Sequence, residues 1–410
     1  MQREQVQSDA GQKEQAGQYG GRAREVRVDG LALDNGQHIC IGAYTETLRL
    51  LGAVGVAASD VFLRRPLRIA YPDGHGLALR PGQPLLAFGS AVLRHPRWRF
   101  GDKRALLFAA ARWLRSGFRC DPDLTVGELT AHLPRVVRGE LIEPLCVAAL
   151  NTPAAEASAG VFLRVLGDAL FAGRGSADLL LPRVSLGAAF PEPAARWLAA
   201  AGATCRPGHR VETLTADGTG WRIDGTRFAC VIVAASASEA ARLARPIAPA
   251  WSDAAAALRH EPIVTVYLRS DGTVLPEPML ALHADAAAPA QFVFDRGQLG
   301  GPTGLLAFVV SGATAWVDAG TAATLAATLR QAESALAHLL AGPLHAVQVV
   351  TEKRATLRCT PGLRRPGALI APGLLAAGDY VDGPYPSTLE GAVRAGVSAA
   401  RANDAKVTPS

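Results

Sequence analysis

The stretch Leu374–Arg401, LLAAGDYVDGPYPSTLEGAVRAGVSAAR, constrains the fold more than any other part of the chain. Leu374 to Ala377 is a short apolar run closed by Gly378-Asp379, the pattern of a buried strand ending in a turn. Gly383, Pro384 and Pro386 then break regular structure, and Ser387 or Thr388 stands where a helix cap belongs. The predicted helix carries Gly391, Ala392, Ala395, Gly396 and Ala399, small enough for close approach of a second backbone or a flat ligand. A strand, an acid and a small-faced helix start in that order suit a nucleotide. The carboxylate takes sugar hydroxyls, and N–H groups of the helix start face an anion or a carbonyl-rich ring. An ordinary strand–loop–helix crossover satisfies the same pattern, so the residues alone leave the two readings level.

A length of 410 residues favours two or three compact units, and 49% hydrophobic residues supply a large core. Apolar runs around 305–317 and 368–377 are broken by Ser311, Gly312 and Thr314, or by Pro372 and Gly373, which predicts no transmembrane helix. No charged, apolar leader opens the sequence, so the expected location is cytoplasmic. The six cysteines are scattered singly without a C-x-x-C pair, which favours isolated thiols over disulfides or zinc. The nine histidines show no ligand spacing, and no metal is expected. The sequence carries no P-loop and no Ser/His/Asp nucleophile motif, which argues against an NTPase or a hydrolase.

The net charge of +6 is uneven. Between Arg94 and Arg119 eight basic residues face one acid, Asp102, and they are interleaved with Trp98, Phe100, Phe108, Trp113 and Phe118. Such a segment suits a helix lying on an anionic membrane surface, here the inner face of the membrane. A core helix with a solvated face fits slightly better. Nucleic acid is not expected, because no recognition motif accompanies the charge.

In chain order, 1–19 is polar and aperiodic and reads as disordered. Gly20-Gly21-Arg22-Ala23 is a tight turn beside a cation, a plausible phosphate cradle. Val26, Val28, Leu31 and Leu33 alternate as a strand, Asp34-Asn35-Gly36 marks a turn, and Glu46–Val54 reads as a helix. Thr125-x-x-Glu128 opens the helical stretch 125–133 with a capping box. Leu150-Asn151-Thr152-Pro153 separates two helices, and a helix over 193–201 stops at Gly202. Val211–Leu214 and Trp221–Ile223 read as strands paired around Asp217-Gly218, and 229–235 as a buried strand. Ser236-x-x-Glu239 then suggests a second capping box. Further strands are predicted over 263–268, 291–294, 305–310 and 345–356, with a helix over 321–340.

The string AAGDYVDGPYPSTLEGAVRAG resembles the C-terminal flavin-binding segment of the amine oxidase/phytoene desaturase superfamily of FAD proteins. The resemblance implies cofactor roles for Gly378, Asp379, Thr388, Leu389 and Ala392, with the Asp on the ribitol chain. It also implies pyrophosphate roles for Gly20, Gly21 and Arg22, since the superfamily carries GGR there. Glu14 stands where those proteins keep the acid that holds the adenosine ribose, although no apolar strand precedes it here. Val211 falls where they contact the adenine through backbone atoms. PLCVAALNTP, SADLLLPRVSLGAAFPEPAARWLAAAG and ALDNGQHICIGAYTETLRLLGAVG are similar to hydroxysqualene dehydroxylases, often labelled squalene-associated FAD-dependent desaturases. In these motifs the resemblance extends over roughly residues 20–401.

One departure stands out: no G-x-G-x-x-G occurs in the sequence. Either translation starts upstream, or the chain is a truncated relative lacking roughly 30 residues of a βα unit. A truncated relative should bind FAD poorly and lack the central strand of the sheet. The expected fold is therefore α/β with an α+β insert. A discontinuous, N-terminally truncated Rossmann-like FAD-binding domain (20–59, 183–255, 346–410) would carry two inserts. One is a helical, membrane-facing insert over 60–182, and the other a sheet and helix over 256–345. Together these inserts would form a mixed substrate domain roofing an apolar cavity.

The activity implied is reduction of hydroxysqualene to squalene, an isoprenoid reaction of hopanoid biosynthesis. Water leaves with acid assistance and hydride comes from reduced FAD. Asp34, His38 and Tyr385 are the candidate proton donors. The alternatives are polyene desaturation, amine oxidation, or a truncated homologue without activity. Amine oxidation is disfavoured by the six tyrosines and by the lack of an evident paired-aromatic cage.

Overall fold

The computed structural model of the protein describes residues 18–28 and 30–407. The 1–19 segment and Glu14 therefore lie outside the described residues, save for 18 and 19. Glu25–Val28 (β1) and Leu31–Asp34 (β2) pair antiparallel, with Glu25 opposite Asp34. The sequence suggested one alternating strand here. Gly30, at φ +79°, instead reverses the chain between the two halves. Cys40–Ile41 (β3) and helix Thr45–Ala53 (α1) follow.

The next segment runs through Ala58–Val61 (α2), Phe62–Arg65 (β4) and the hairpin Arg68–Ala70 (β5) with Gly76–Ala78 (β6). Helices Pro84–Arg94 (α3) and Phe100–Arg115 (α4) come next. The capping box at Thr125 forms, with Glu128 N–H on Thr125 Oγ1 at 3.1 Å and Thr125 N–H on the Glu128 carboxylate at 2.8 Å. It opens only the single turn Val126–Leu129 (α5). Arg135–Val137 (α6) continues through a π-helical turn into Glu143–Leu150 (α7). Asn151, in the left-handed conformation, ends that helix before Ala159–Phe171 (α8). Leu179–Pro182 (β7) then pairs with both β3 and β4.

Leu186–Ala189 (α9) and Pro191–Ala200 (α10) lead to a meander of Leu214–Asp217 (β8), Gly220–Ile223 (β9) and Thr226–Phe228 (β10). The meander starts later than the sequence suggested. The Asp224 carboxylate takes the N–H groups of Glu212 and Thr213, which withdraws them from pairing. Only Val231–Val233 (β11) of the apolar run 229–235 is strand, because its short parallel partner limits the ladder. The second capping box does not form, since Glu239 binds Arg210 and Arg242 instead. Ala237–Ala244 (α11) and Pro249–Ala256 (α12) complete this part.

His260–Arg269 (β12), Met279–Ala281 (β13), Phe292–Asp295 (β14) and Leu305–Val310 (β15) form a sheet with His345–Leu357 (β16). Its order is β13-β14-β15-β12-β16, antiparallel throughout. Strand β16, which a division at 345/346 groups with the last cofactor segment, is hydrogen-bonded along its length to β12. One face of the sheet, with Tyr267, Phe294 and Val309, packs against α3, α4, α7 and α8. The other, with Val266, Phe308 and Val310, packs beneath Thr321–Ala335 (α14), which follows the short helix Thr314–Ala319 (α13). Covering both faces explains why every residue of β15 is apolar and buried. Helix α14 ends at Ala335, short of the predicted 340: Leu336 turns into the core and His338 meets the Pro72 carbonyl.

The chain closes with Leu369–Ala371 (β17), Leu374–Ala376 (β18) and Leu389–Val407 (α15). The β18 strand pairs parallel with β11 and antiparallel with β17, and β11 lies at the edge of that sheet.

Candidate flavin site

Arg22 and Asp379, 357 residues apart, meet: Arg22 Nη2 donates to Asp379 Oδ1 at 2.5 Å. Arg22 Nη1 also donates to the carbonyls of Ala355 (2.7 Å) and Arg354 (3.2 Å) at the end of β16. The glycine turn holds the arginine there. Gly20 has φ +100°, a Cβ on it would sit 2.5 Å from the Ala23 carbonyl oxygen, and that carbonyl's own residue donates to Gly20 O at 3.0 Å. Gly21 (φ +60°) completes the turn. On the opposite side Asp379 follows Gly378, where a Cβ would clash with the Tyr380 ring at 2.6 Å. His260 lies beside this seam; burial and the charges of Arg22 and Arg354 push its imidazole towards the neutral form, against the pull of Asp379.

The start of α15 is built as the sequence suggested, with Thr388 Oγ1 accepting from Gly391 N–H at 2.9 Å and the Thr388 carbonyl from Ala392 N–H at 3.0 Å. Gly391, Leu389 and Ala399 of this helix are close-packed. A Cβ on Gly391 would lie 2.0 Å from the Tyr385 carbonyl oxygen, Ala399 is buried against Leu375 and Ala377, and Leu389 joins the cluster around Cys40 and Leu51. The Val211 carbonyl accepts from Arg242 Nη2 at 2.5 Å, which ties it to α11.

Asp34 and His38 come together in a buried polar group. Asp34 Oδ1 accepts from Leu186 N–H at 3.2 Å, and the Asp34 carbonyl accepts from the Tyr267 hydroxyl at 3.0 Å. Arg296 Nη1 donates to Gln37 Oε1 at 3.1 Å. Asp34 Oδ2, Gln37 Nε2 and His38 Nδ1 are buried without a hydrogen-bond partner among the described residues. Burial raises the Asp34 pKa above the usual carboxylate range, despite the opposing charges of His38 and Arg296. Burial likewise lowers the His38 pKa, with Asp34 opposing it. Asp34 thus tends to keep its proton and His38 to stay neutral. Arg22 is close enough to act on His38, which places this group beside the seam.

Tyr385 has other neighbours. Burial and Asp168 raise its phenol, and the Arg394 guanidinium lies 5.1 Å from its ring centre. Asp34 and His38 are candidates from the sequence for their place near the expected flavin, whereas Tyr267, Arg296 and His260 carry no local pattern that singles them out.

The profile of the family described as flavin containing amine oxidoreductase matches residues 14–402. The chain belongs to this family. Hydroxysqualene dehydroxylase from Rhodopseudomonas palustris is 28% identical to it, covering 93% of this chain and 90% of that protein. The protein of the same name from Sinorhizobium fredii is 27% identical, covering 93% and 89%. An oxidoreductase from Methanosarcina mazei superposes with a TM-score of 0.67 at 14% identity, covering 93% of this chain and 92% of that one. Cyclohexylamine oxidase from Brevibacterium oxydans gives 0.65 at 15% identity, covering 95% and 91%. These two establish a shared fold.

As a member of the flavin amine oxidoreductases, the protein is an FAD-dependent oxidoreductase. The seam fits such a dinucleotide chemically. Asp379 presents carboxylate oxygens at the end of a parallel strand pair, Arg22 presents a guanidinium for a phosphate, and the buried Tyr380 hydroxyl has no partner among the described residues.

Proposed function

We propose that the protein reduces hydroxysqualene to squalene at this site, as a step of hopanoid biosynthesis. The observation that carries the reading is Asp34, a buried carboxyl with one oxygen unpartnered among the described residues and a pKa that burial raises. It adjoins the apolar cluster that runs from Leu33 and Tyr267 into the helical insert. The names of the two dehydroxylases, matched over about nine-tenths of their lengths, supply the substrate class.

Reduced FAD, when bound, supplies a hydride. Arg22, Gly20, Gly21 and the α15 start would hold its phosphates, and Asp379 its ribityl hydroxyls. Asp34 then protonates the departing hydroxyl, so C–OH, a proton and a hydride become C–H and water. Burial raises its pKa, Leu186 N–H holds one carboxyl oxygen, and Tyr267 O–H anchors the Asp34 backbone carbonyl. Neutral His38 keeps a second positive charge away from the developing carbocation. The apolar wall excludes water that would recapture the cation.

We divide the chain into an FAD-binding layer (20–59, 183–255, 346–410) and two inserts (60–182 and 256–345), with β16 of the last layer segment completing the second insert's sheet. The edge position of β11 supports a Rossmann-like layer open to a further parallel strand there. The substrate is a membrane lipid, so we place the enzyme at the cytoplasmic face of the inner membrane.

The test supplies purified, FAD-loaded protein with hydroxysqualene and a reductant, and separately with phytoene and an oxidant. Squalene from the first supports the reading. Desaturated phytoene with no squalene replaces it by polyene desaturation, and inactivity towards both in a flavin-loaded protein removes it.

A further inference from the structure

We propose that α3, α4 and the segment joining them form a docking face for an anionic lipid bilayer. Helix α4 turns Leu106, Ala109 and Trp113 into the core. Phe100, Arg104, Phe108 and Arg112 recur at every fourth residue and so share the opposite face. That face is open: Phe100 is 78% exposed and Phe108 69%. Helix α3 adds Leu86, at 72%, with Leu85 and Leu93. Of the eleven large apolar side chains exposed among the described residues, six lie on these two helices.

A surface with this much open apolar area usually meets another phase or partner. The charge identifies which. Between 84 and 119 the only acid is Asp102, and it is engaged by the Arg99 N–H at the helix start. Arg97 pairs with Asp73, and Lys103 binds the Leu93 carbonyl. Arg94, Arg104, Arg112, Arg115 and Arg119 remain as cations around the exposed Phe and Leu side chains. Apolar side chains among arginines on one helical face match the acyl–headgroup boundary of an anionic leaflet. A nucleic acid would use the cations but leave Leu86 and Phe108 without a role. An acidic protein would need a complementary groove, and the face is convex helix.

Directly behind, Phe88, Leu106, Trp113, Phe118, Leu166 and Leu170 enclose a small void of about 20 Å³ in the apolar core. The docking proposal itself does not depend on which substrate the enzyme reduces.

The test is co-sedimentation of the full-length protein with phosphatidylcholine vesicles, with and without phosphatidylglycerol. The protein should pellet with the anionic vesicles, and added salt should release it. Arg104→Gln and Arg112→Gln should each weaken binding about fivefold. The pair Leu86→Ser and Phe108→Ser should abolish it at an unchanged melting temperature, since both side chains are already outside the core. Equal binding to neutral vesicles would overturn the proposal, as would no binding to either. Capture by duplex RNA without vesicle binding, or self-association that the serine pair abolishes without vesicle binding, would assign the face to those partners instead.

Discussion

Glu390 and Asp34 are both carboxylates shut away from solvent, 1% and 2% exposed, yet their surroundings are opposite in kind. Glu390, on the first turn of α15, accepts from Glu46 N–H, Thr47 N–H and the Thr47 hydroxyl at 3.1, 2.9 and 2.7 Å. Arg394, one turn further on, adds a charged donor at 2.7 Å. The C-terminal helix thereby caps α1, more than 340 residues earlier in the chain. Asp34 has one backbone donor on Oδ1, none on Oδ2 among the described residues, and a raised pKa. A fully partnered buried carboxylate holds structure, whereas one left partly unpartnered stores a proton.

Asp379 stands between them, part-buried and bound to a single arginine side chain. It gives the largest expected effect: Asp379→Ala should leave the protein folded and without FAD, read as flavin absorbance per chain after gel filtration. Flavin at the parent's stoichiometry would detach the cofactor from the seam. Next, Asp34→Asn keeps the acceptor for Leu186 but removes the proton, and should slow squalene formation by about 10²–10⁴-fold. Its melting temperature should hold or rise, and a stability loss matching the rate loss would make Asp34 structural like Glu390. Glu390→Ala should cost about 3 kcal/mol, because it strands Thr47 and Arg394. A denaturant midpoint unchanged from the parent would erase the contrast.

The smallest effect is on pH. Asp34, with its raised pKa, contributes stability that is full below the ordinary carboxylate range and is lost as pH rises through its folded value. As pH rises through that range, the melting temperature of Asp34→Asn should therefore gain on the parent's. Identical slopes would mean that Asp34 does not hold its proton.

Much of the seam could be read from the sequence because each half is local: a glycine turn at 20–23, and a strand, an acid and a cap at 374–388. The packing of α15 was less legible. Gly391 and Ala399 look equally suited to a ligand or to a neighbouring backbone; Gly391 lies against the Tyr385 carbonyl, and Ala399 packs with Leu375 and Ala377. The failed capping box at Ser236 shows other partners overriding a local pattern, since Arg242, three residues on, and Arg210, 29 residues away, both claim Glu239. Tyr267 reaches Asp34 across 233 residues, and nothing in its strand's alternation separates it from an ordinary core aromatic.

The joining of Arg22 to Asp379 also sets an order of events during synthesis. At about 5–20 residues per second, Asp379, the second half of the proposed FAD seat, leaves the ribosome roughly 20–70 s after Arg22. FAD loading is then a late event, and a nascent chain stopped anywhere before Asp379 would remain colourless.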